Sequence, residues 1–249
     1  IAGQATVALE LIEQLPDMDA VIVPIGGGGL MSGIAYTIKT IKPSCKVYGV
    51  QAVGAASMMY SINENTCKSL SCVRTFADGT AVKKPSELTY DMCKKYVDEI
   101  ITVSEDEIAA SILSLIETHK LVAEGAGALS VAAVKFGKLS LKGKKVCAII
   151  SGGNIDVNIL SRVINRGLLT SGRLTNLTIE LVDKPGQLKN VSAIIADMGA
   201  NVISVHYTPG GANMDINGCF LNISMETRNH EHLAEIRAAL TSEGFKLCG

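Results

Sequence analysis

Ile22-Val23-Pro24-Ile25-Gly26-Gly27-Gly28-Gly29-Leu30-Met31-Ser32-Gly33-Ile34-Ala35 decides the fold. An apolar, β-branched run over 20–25 meets four consecutive glycines. Apolar residues at helical spacing follow (Leu30, Ile34, Ile38, Ile41), so the stretch reads as strand, glycine loop, helix. Glycines without Cβ let a backbone approach a ligand closely. The first N–H groups of the following helix lack intrahelical partners and sit at the positive end of its dipole. Together these make an anion site, and a phosphate suits it best. A plain turn would need one or two glycines, and four cost backbone entropy, so a phosphate cradle is the expectation.

The dinucleotide fingerprint G-x-G-x-x-G is nearly present, since Gly27 and Gly29 fit its first two positions, but Ser32 stands where the third glycine should be. A nicotinamide reading also wants an acidic residue after the next strand, and that strand, 46–50, ends in Gln51. The Gly-Lys-Ser/Thr ending of a Walker loop is absent.

Composition bounds the remaining possibilities. With 249 residues, 47% of them hydrophobic, and a formal net charge of −1, the chain can bury a large core and make two domains. No basic block or aromatic-rich basic patch favours nucleic acid, and the apolar runs fall far short of the ~20 residues of a membrane span. A soluble protein is expected. Seven cysteines, odd in number and without C-x-x-C spacing, read as reduced thiols of an intracellular, cytoplasmic protein. No signal peptide is visible. The chain opens Ile1-Ala2-Gly3-Gln4 without an initiator methionine and enters helical pattern at once, so Ile1 is not expected to be the natural start.

In chain order, a helix is expected over 5–15, stopped by Pro16. After the central strand, loop and helix comes a strand over 46–50. This strand-helix-strand crossover builds a parallel sheet, whose ligands sit beyond the carboxyl ends of the strands, where the glycine loop lies. Further helices are expected over 54–70, 86–95 and 105–118, the last opened by a Ser104/Glu107 capping box. A loop beside the site is expected over 76–83, a strand over 99–103, and a small-residue helix from Glu124 to Phe136. A second glycine signal, Ser151-Gly152-Gly153-Asn154, follows a strand over 145–150. Two glycine-ended edges of one sheet can share a flat ligand. A neutral hydroxyl with two glycines suits a heteroaromatic ring whose phosphate sits on the first loop.

Ala2-Gly3-Gln4, the Gly26 to Leu30 run, Ala77-Asp78-Gly79, Glu124-Gly125-Ala126-Gly127 and Ser151-Gly152-Gly153-Asn154 occur in the order seen in threonine dehydratases (threonine ammonia-lyases), and the chain resembles that family of fold-type-II pyridoxal-phosphate enzymes over its whole length. The resemblance implies an α/β fold with pyridoxal 5'-phosphate as cofactor. Gly26, Gly27, Gly28, Gly29 and Leu30 would hold its phosphate, Ser151 with Gly152 would meet the pyridine nitrogen, and Glu124 would lie near the ring as a catalytic candidate. Glu124 reads equally as a helix N-terminal carboxylate favoured by the dipole. A serine cannot keep a pyridine nitrogen protonated as a carboxylate does. That weaker electron sink favours β-elimination, giving 2-oxobutyrate and ammonia from threonine and pyruvate from serine.

Two departures stand out. The family's cofactor-bearing lysine lies in a Ser-x-Lys-x-Arg setting that this sequence does not contain, so these residues alone are expected to be inactive. Related racemases and dehydratases place metal-binding carboxylates where this chain has Gln51 and Ser57, so no metal is expected. The four histidines are dispersed.

The pattern changes after Arg173, which sets expected domains at 1–172 and 173–249. Strands over 174–182, 201–207 and 219–225, helices over 185–198 and 230–243, a loop over 209–218 and a short final strand over 245–248 follow, with Gly199 and Gly244 as helix stops. This βαββαβ order describes a ferredoxin-like domain. With Asp183-Lys184-Pro185-Gly186-Gln187-Leu188 at its first turn, it resembles an ACT domain, an amino-acid-sensing module. That resemblance implies an effector site, often between two such domains, at Gly186, Leu188, Asn201 and Ile203, for an amino acid such as isoleucine or valine, and a homo-oligomer, dimer or tetramer, as assembly. A tight helix entry explains Pro185 and Gly186 equally well, and only the whole-domain pattern favours regulation. Two other readings remain: a non-catalytic amino-acid sensor, and a sister enzyme such as a serine racemase or threonine synthase.

Overall fold

The computed structural model describes residues 1–209 and 216–248; residues 210–215 of the loop expected over 209–218 lie outside the described residues. The chain divides into two compact units, Ile1–Val163 and Ile164–Gly249.

The first unit runs α1 (Ala2–Gln14), β1 (Ala20–Pro24), α2 (Gly29–Ile41), β2 (Lys46–Ala52), α3 (Ser57–Asn63), α4 (Glu87–Tyr96), β3 (Glu99–Val103), α5 (Glu105–Ser114), α6 (Gly125–Lys135), β4 (Val146–Ala148) and the start of α7 (Val157–Thr170). Its sheet has the order β3-β2-β1-β4 with every pair parallel. Strand β1 is buried at all positions and faces two ways, as a period of two requires. Ile22 packs into a core with α5 and α6 (Ile108, Ile112, Leu129), while Val21 and Val23 pack against α2 (Met31, Ile34, Ile38). The two faces explain why β1 is uninterruptedly apolar.

Several elements differ from expectation. The helix expected over 54–70 shrinks to α3, because Asn65 adopts φ +56° in the left-handed region and Ser61 Oγ accepts from Lys68 N–H at 3.0 Å, turning the chain back. The α5 pattern continues past Ser114 as a π-helical turn, Leu115–His119, closed by Lys120 at φ +59°. The expected 145–150 strand is reduced to β4, although Ile149 N–H still reaches Ile22 O at 3.0 Å. Helix α7 has no counterpart in the sequence expectation. The capping box of α5 forms as expected.

The second unit contains β5 (Leu174–Val182), α8 (Gln187–Asp197), β6 (Asn201–Pro209), β7 (Gly218–Glu226), α9 (His230–Ser242) and β8 (Lys246–Cys248). Its antiparallel pairs give the order β6-β7-β5-β8, the ferredoxin-like arrangement. Leu177, Ile179, Leu221 and Ile223 alternate toward Val191 and Ile195 of α8 and Ile236 and Leu240 of α9. The opposite sheet face is polar: Thr178 donates to Asn222 at 2.8 Å, and Ser224 to Asn176 at 2.5 Å. Buried His232 joins the helices; its Nδ1 accepts from Arg228 N–H at 3.1 Å, and Nε2 lies 2.8 Å from Met198 O. Edge strand β6 leaves Ile203, Val205 and Tyr207 exposed.

Among the described residues no helix is long and apolar enough to cross a membrane, and all seven cysteines are free.

Candidate active site

The cradle forms where β1 ends. Ile25 N–H pairs with Val50 O at 2.8 Å, and buried Gln51 donates from Nε2 to Ile25 O at 3.3 Å and to Ala55 O at 3.2 Å. Gln51, noticed in the sequence only as a missing carboxylate, thus pins the start of the glycine loop. Gly28 is the N-cap of α2 at φ +88°, with no side-chain cap and no acidic residue in the first turn. The first intrahelical bond is Ser32 N–H to Gly28 O at 2.8 Å. The amides of Gly29, Leu30 and Met31 are therefore available at the positive end of the helix.

The four glycines serve different purposes. A Cβ on Gly28 would lie 2.7 Å from Met58 Cε and 2.9 Å from Thr89 Cβ, and one on Gly26 would lie 3.0 Å from Thr80 Cα. These two let neighbouring segments approach. A Cβ on Gly29 would meet nothing within 4 Å, and one on Gly27 only Val82 at 4.0 Å, so there the missing side chain leaves open space. That space is a cavity of about 280 Å³, close to the ~300–1,000 Å³ of ligand clefts.

Gly26, Gly27, Gly28, Gly29 and Leu30 form one wall of the cavity, Gly79 and Thr80 another, and Glu124 and Ser151 complete it. Segments distant in sequence meet here because β1 and β4 are neighbours and end on the same side. Glu124 is the N-cap of α6 but makes no side-chain cap bond; its carboxylate turns into the cavity, with Oε1 3.6 Å from a Cβ on Gly79. Gly152 lies behind it, where a Cβ would overlap Glu124 Oε1, and Gly127 closes against the Gly152 backbone in the same way. The Ser151 hydroxyl is exposed and has no protein partner among the described residues.

Sequence reasoning missed Met58 and Thr89 behind Gly28. It placed 76–83 beside the site only as a loop, where the structure has a helical turn, Asp78–Thr80, whose Thr80 Oγ1 donates to Ala77 O at 2.9 Å. Among the described residues no three His, Cys, Asp or Glu side chains gather as a metal would need.

The arrangement fits pyridoxal 5'-phosphate. An open backbone cradle without side chains receives an anion, and a neutral hydroxyl and a carboxylate face it across a cavity of ligand size. The model of the pyridoxal-phosphate dependent enzyme family matches residues 1–152, well over half of the sequence. The chain belongs to that family. An ACT-domain model matches residues 170–243.

Within the family, the chain is 47% identical over 247 residues to the L-threonine ammonia-lyase of Thermotoga maritima, covering 99% of this chain and 61% of that protein. It is also 47% identical over 165 residues to the catabolic L-threonine dehydratase TdcB of Escherichia coli (strain K12), covering 66% of this chain and 50% of that one. It therefore spans about half to three fifths of the length of these relatives. Among solved structures, the processed threonine deaminase isoform 2 of Solanum lycopersicum superposes with a TM-score of 0.62 at 38% identity, over 66% of this chain and 48% of that one. Maize serine racemase superposes with 0.60 at 34% identity, over 66% and 53%.

The four residues expected to bind an effector do not form one cluster within the second unit. Gly186, at φ +94°, caps α8, and half-exposed Leu188 sits in its first turn, just beyond Val182 at the end of β5. Asn201 starts β6 at the other end of the sheet, opposite Glu226, which pairs with Leu174; its Nδ2 donates to Glu226 at 3.0 Å. Leu174 and Val182 are eight residues apart, about 26 Å at the usual rise per residue. Ile203 lies at the register shift between Val202 and Ser204, near the Asn201 end. The turn after β5 instead lies at the same end of the sheet as the end of β6, where nearby Cys219 and Asp183 raise the pKa of the Tyr207 hydroxyl.

Proposed function

We propose that the chain forms part of a pyridoxal-phosphate-dependent threonine ammonia-lyase, converting L-threonine to 2-oxobutyrate and ammonia, and L-serine to pyruvate, in the cytoplasm. The observation that carries the reading is the open glycine cradle facing Glu124 and Ser151 across one cavity. The name and 47% identity of the Thermotoga maritima relative support the reaction.

When bound, the cofactor supplies an electron sink for the substrate's Cα. The chain's own residues supply the rest. The amides of Gly29, Leu30 and Met31 would hold the phosphate by hydrogen bonds at the positive end of α2, without a basic side chain. Ser151, which lines the same cavity, would offer the ring nitrogen one neutral hydrogen bond. Glu124, held between Gly79 and Gly152, would present its carboxylate to the ring from the cavity wall. The cofactor-bearing lysine of the family has no counterpart in its expected setting here, so on this reading the 249 residues by themselves do not turn threonine over.

In the same proposal residues 1–172 serve catalysis and 173–249 regulation by an amino acid such as isoleucine or valine. Antiparallel pairing of β6 with β6 of a second copy, centred near Val205, would set Gly186 and Leu188 of one copy beside Asn201 and Ile203 of the other. The exposed edge carrying Ile203, Val205 and Tyr207 supports this pairing and with it a homo-oligomer.

The test is 2-oxobutyrate formation from threonine by the complete gene product loaded with pyridoxal phosphate, set against the 249-residue chain. An inactive complete gene product that still binds the cofactor would overturn the assigned reaction.

A further inference from the structure

Helix α5 is capped without its first residue. Ser104 Oγ accepts from Glu107 N–H at 3.3 Å and Glu107 Oε2 accepts from Ser104 N–H at 2.8 Å, which completes the capping box. Glu105 stands outside that box. Its Oε2 accepts the N–H of Phe76, 29 residues earlier, at 2.9 Å. Its Oε1 is buried and has no hydrogen-bond partner among the described residues. A buried, half-satisfied carboxylate oxygen is unfavourable, and a helix that already has its cap does not require one.

Phe76 opens the segment that walls the cavity. From it the chain turns through Ala77 and Gly79 to Thr80, whose N–H donates to Ala77 O at 2.9 Å. Gly79 and Thr80 face Gly26 so closely that a Cβ there would lie 3.1 Å from Gly79 O and 3.0 Å from Thr80 Cα. On its other side the segment is pressed to α6, where a Cβ on Gly125 would lie 2.8 Å from Ala77 Cα. The segment is wedged between the cradle and the helix that carries Glu124, and its entry is tied down by Glu105 at Phe76.

We propose that Glu105 is a positioning residue for the cofactor cavity: its bond to the Phe76 amide sets the height of the Ala77–Thr80 turn and thereby the gap between that turn and the phosphate cradle. The inference rests on the reading of the cavity as a pyridoxal-phosphate site. It concerns reach, since the carboxylate must extend from the helix end to Phe76, and it is separate from the favourable placement of any acidic residue at a helix N-terminus.

Two substitutions separate reach from charge. Glu105→Asp keeps the charge and the acidic first turn but falls one methylene short; Glu105→Gln keeps the length and an accepting oxygen but removes the charge. In the complete gene product, spectroscopic titration with pyridoxal phosphate should give a dissociation constant raised about tenfold in Glu105→Asp and within about threefold of wild type in Glu105→Gln. Amide exchange over 76–80, measured without cofactor, should rise in Glu105→Asp alone. A cofactor affinity in Glu105→Asp matching wild type, or equal weakening in both variants, overturns the proposal. If wild type itself fails to bind, the cavity reading falls, and the amide exchange still decides whether Glu105 holds the turn.

Discussion

The backbone N–H of Glu124 donates to the carbonyl of Gly152 at 3.1 Å, and the Glu124 carboxylate folds back over the same glycine so closely that a Cβ there would overlap Oε1. Gly152 is thus the seat of the cavity's one acidic side chain. Gly152→Ala should displace that carboxylate and lower kcat/KM for threonine at least about tenfold, the direction also expected for Glu124→Gln. Steady-state assays of 2-oxobutyrate formation on both variants check this. An unimpaired Gly152→Ala enzyme would show that the carboxylate's position is immaterial.

The two kinds of glycine in the cradle predict two phenotypes. Gly28→Ala meets Met58 and Thr89 and places an alanine at φ +88°, so it should cost about 1–2 kcal/mol from the backbone alone, with packing strain added, and weaken cofactor binding. Gly29→Ala meets no protein atom within 4 Å and favours the helix, so stability should hold while its methyl group obstructs the anion. Thermal melts without cofactor, paired with cofactor titrations, separate the two.

Asp98 anchors the end of β2 that lies away from the cavity. Burial by itself would push its carboxyl up, but hydrogen bonds from Lys39, Lys46 and the Val47 N–H outweigh burial and hold it below its ordinary 3.8. The contacts lie at 2.6, 2.8 and 2.8 Å. Because the folded value is the depressed one, the stabilisation is fully present above about pH 3.8 and is lost as pH falls through the folded value. Asp98→Asn should therefore lower stability by about 2 kcal/mol at neutral pH and by progressively less in acid, as pH-dependent urea melts would reveal.

Burial raises the Cys93 thiol to about 11, against a smaller lowering by the Ser32 hydroxyl. Cys72 is exposed. Alkylation near neutral pH should modify Cys72 readily and leave Cys93 unmodified until denaturant is added. Peptide mass mapping gives the answer.

The β6 edge predicts coupled losses. Val205→Lys places a charge at the proposed centre of pairing, so light scattering should report a smaller assembly, and any response of the threonine saturation curve to isoleucine or valine should disappear with it. Retention of both assembly and response would rule out this edge.

Much of the fold was legible because it is written locally. The strand, glycine loop and helix at 20–41, the Ser104/Glu107 box and the alternation over 174–182 each declare themselves within a few residues. What stayed hidden depends on distant partners. Met58 and Thr89 carry no mark that they will back Gly28, and the Glu105 bond to Phe76 leaves no periodic trace. Gly186 and Asn201, expected in one effector site often shared between two domains, lie at opposite ends of the sheet within one copy because β5 and β6 run parallel, a relation no local pattern records. Helix α7 carries a weaker local signal: Ile159, Leu160 and Val163 recur at helical spacing and pack on the first core, but the helix ends in the glycine-bearing stretch that reads as a boundary between domains.

The pairing of Ala20 with Val146 has a kinetic consequence. The cradle lies beside the first of these strands and Ser151 just beyond the second, so the cavity has no complete wall until most of the first unit has been synthesised and that long loop has closed. Closure over such a span is slow compared with helix formation. Cofactor capture should accordingly be among the last events of folding, and free pyridoxal phosphate should slow the unfolding of the protein far more than it speeds its refolding.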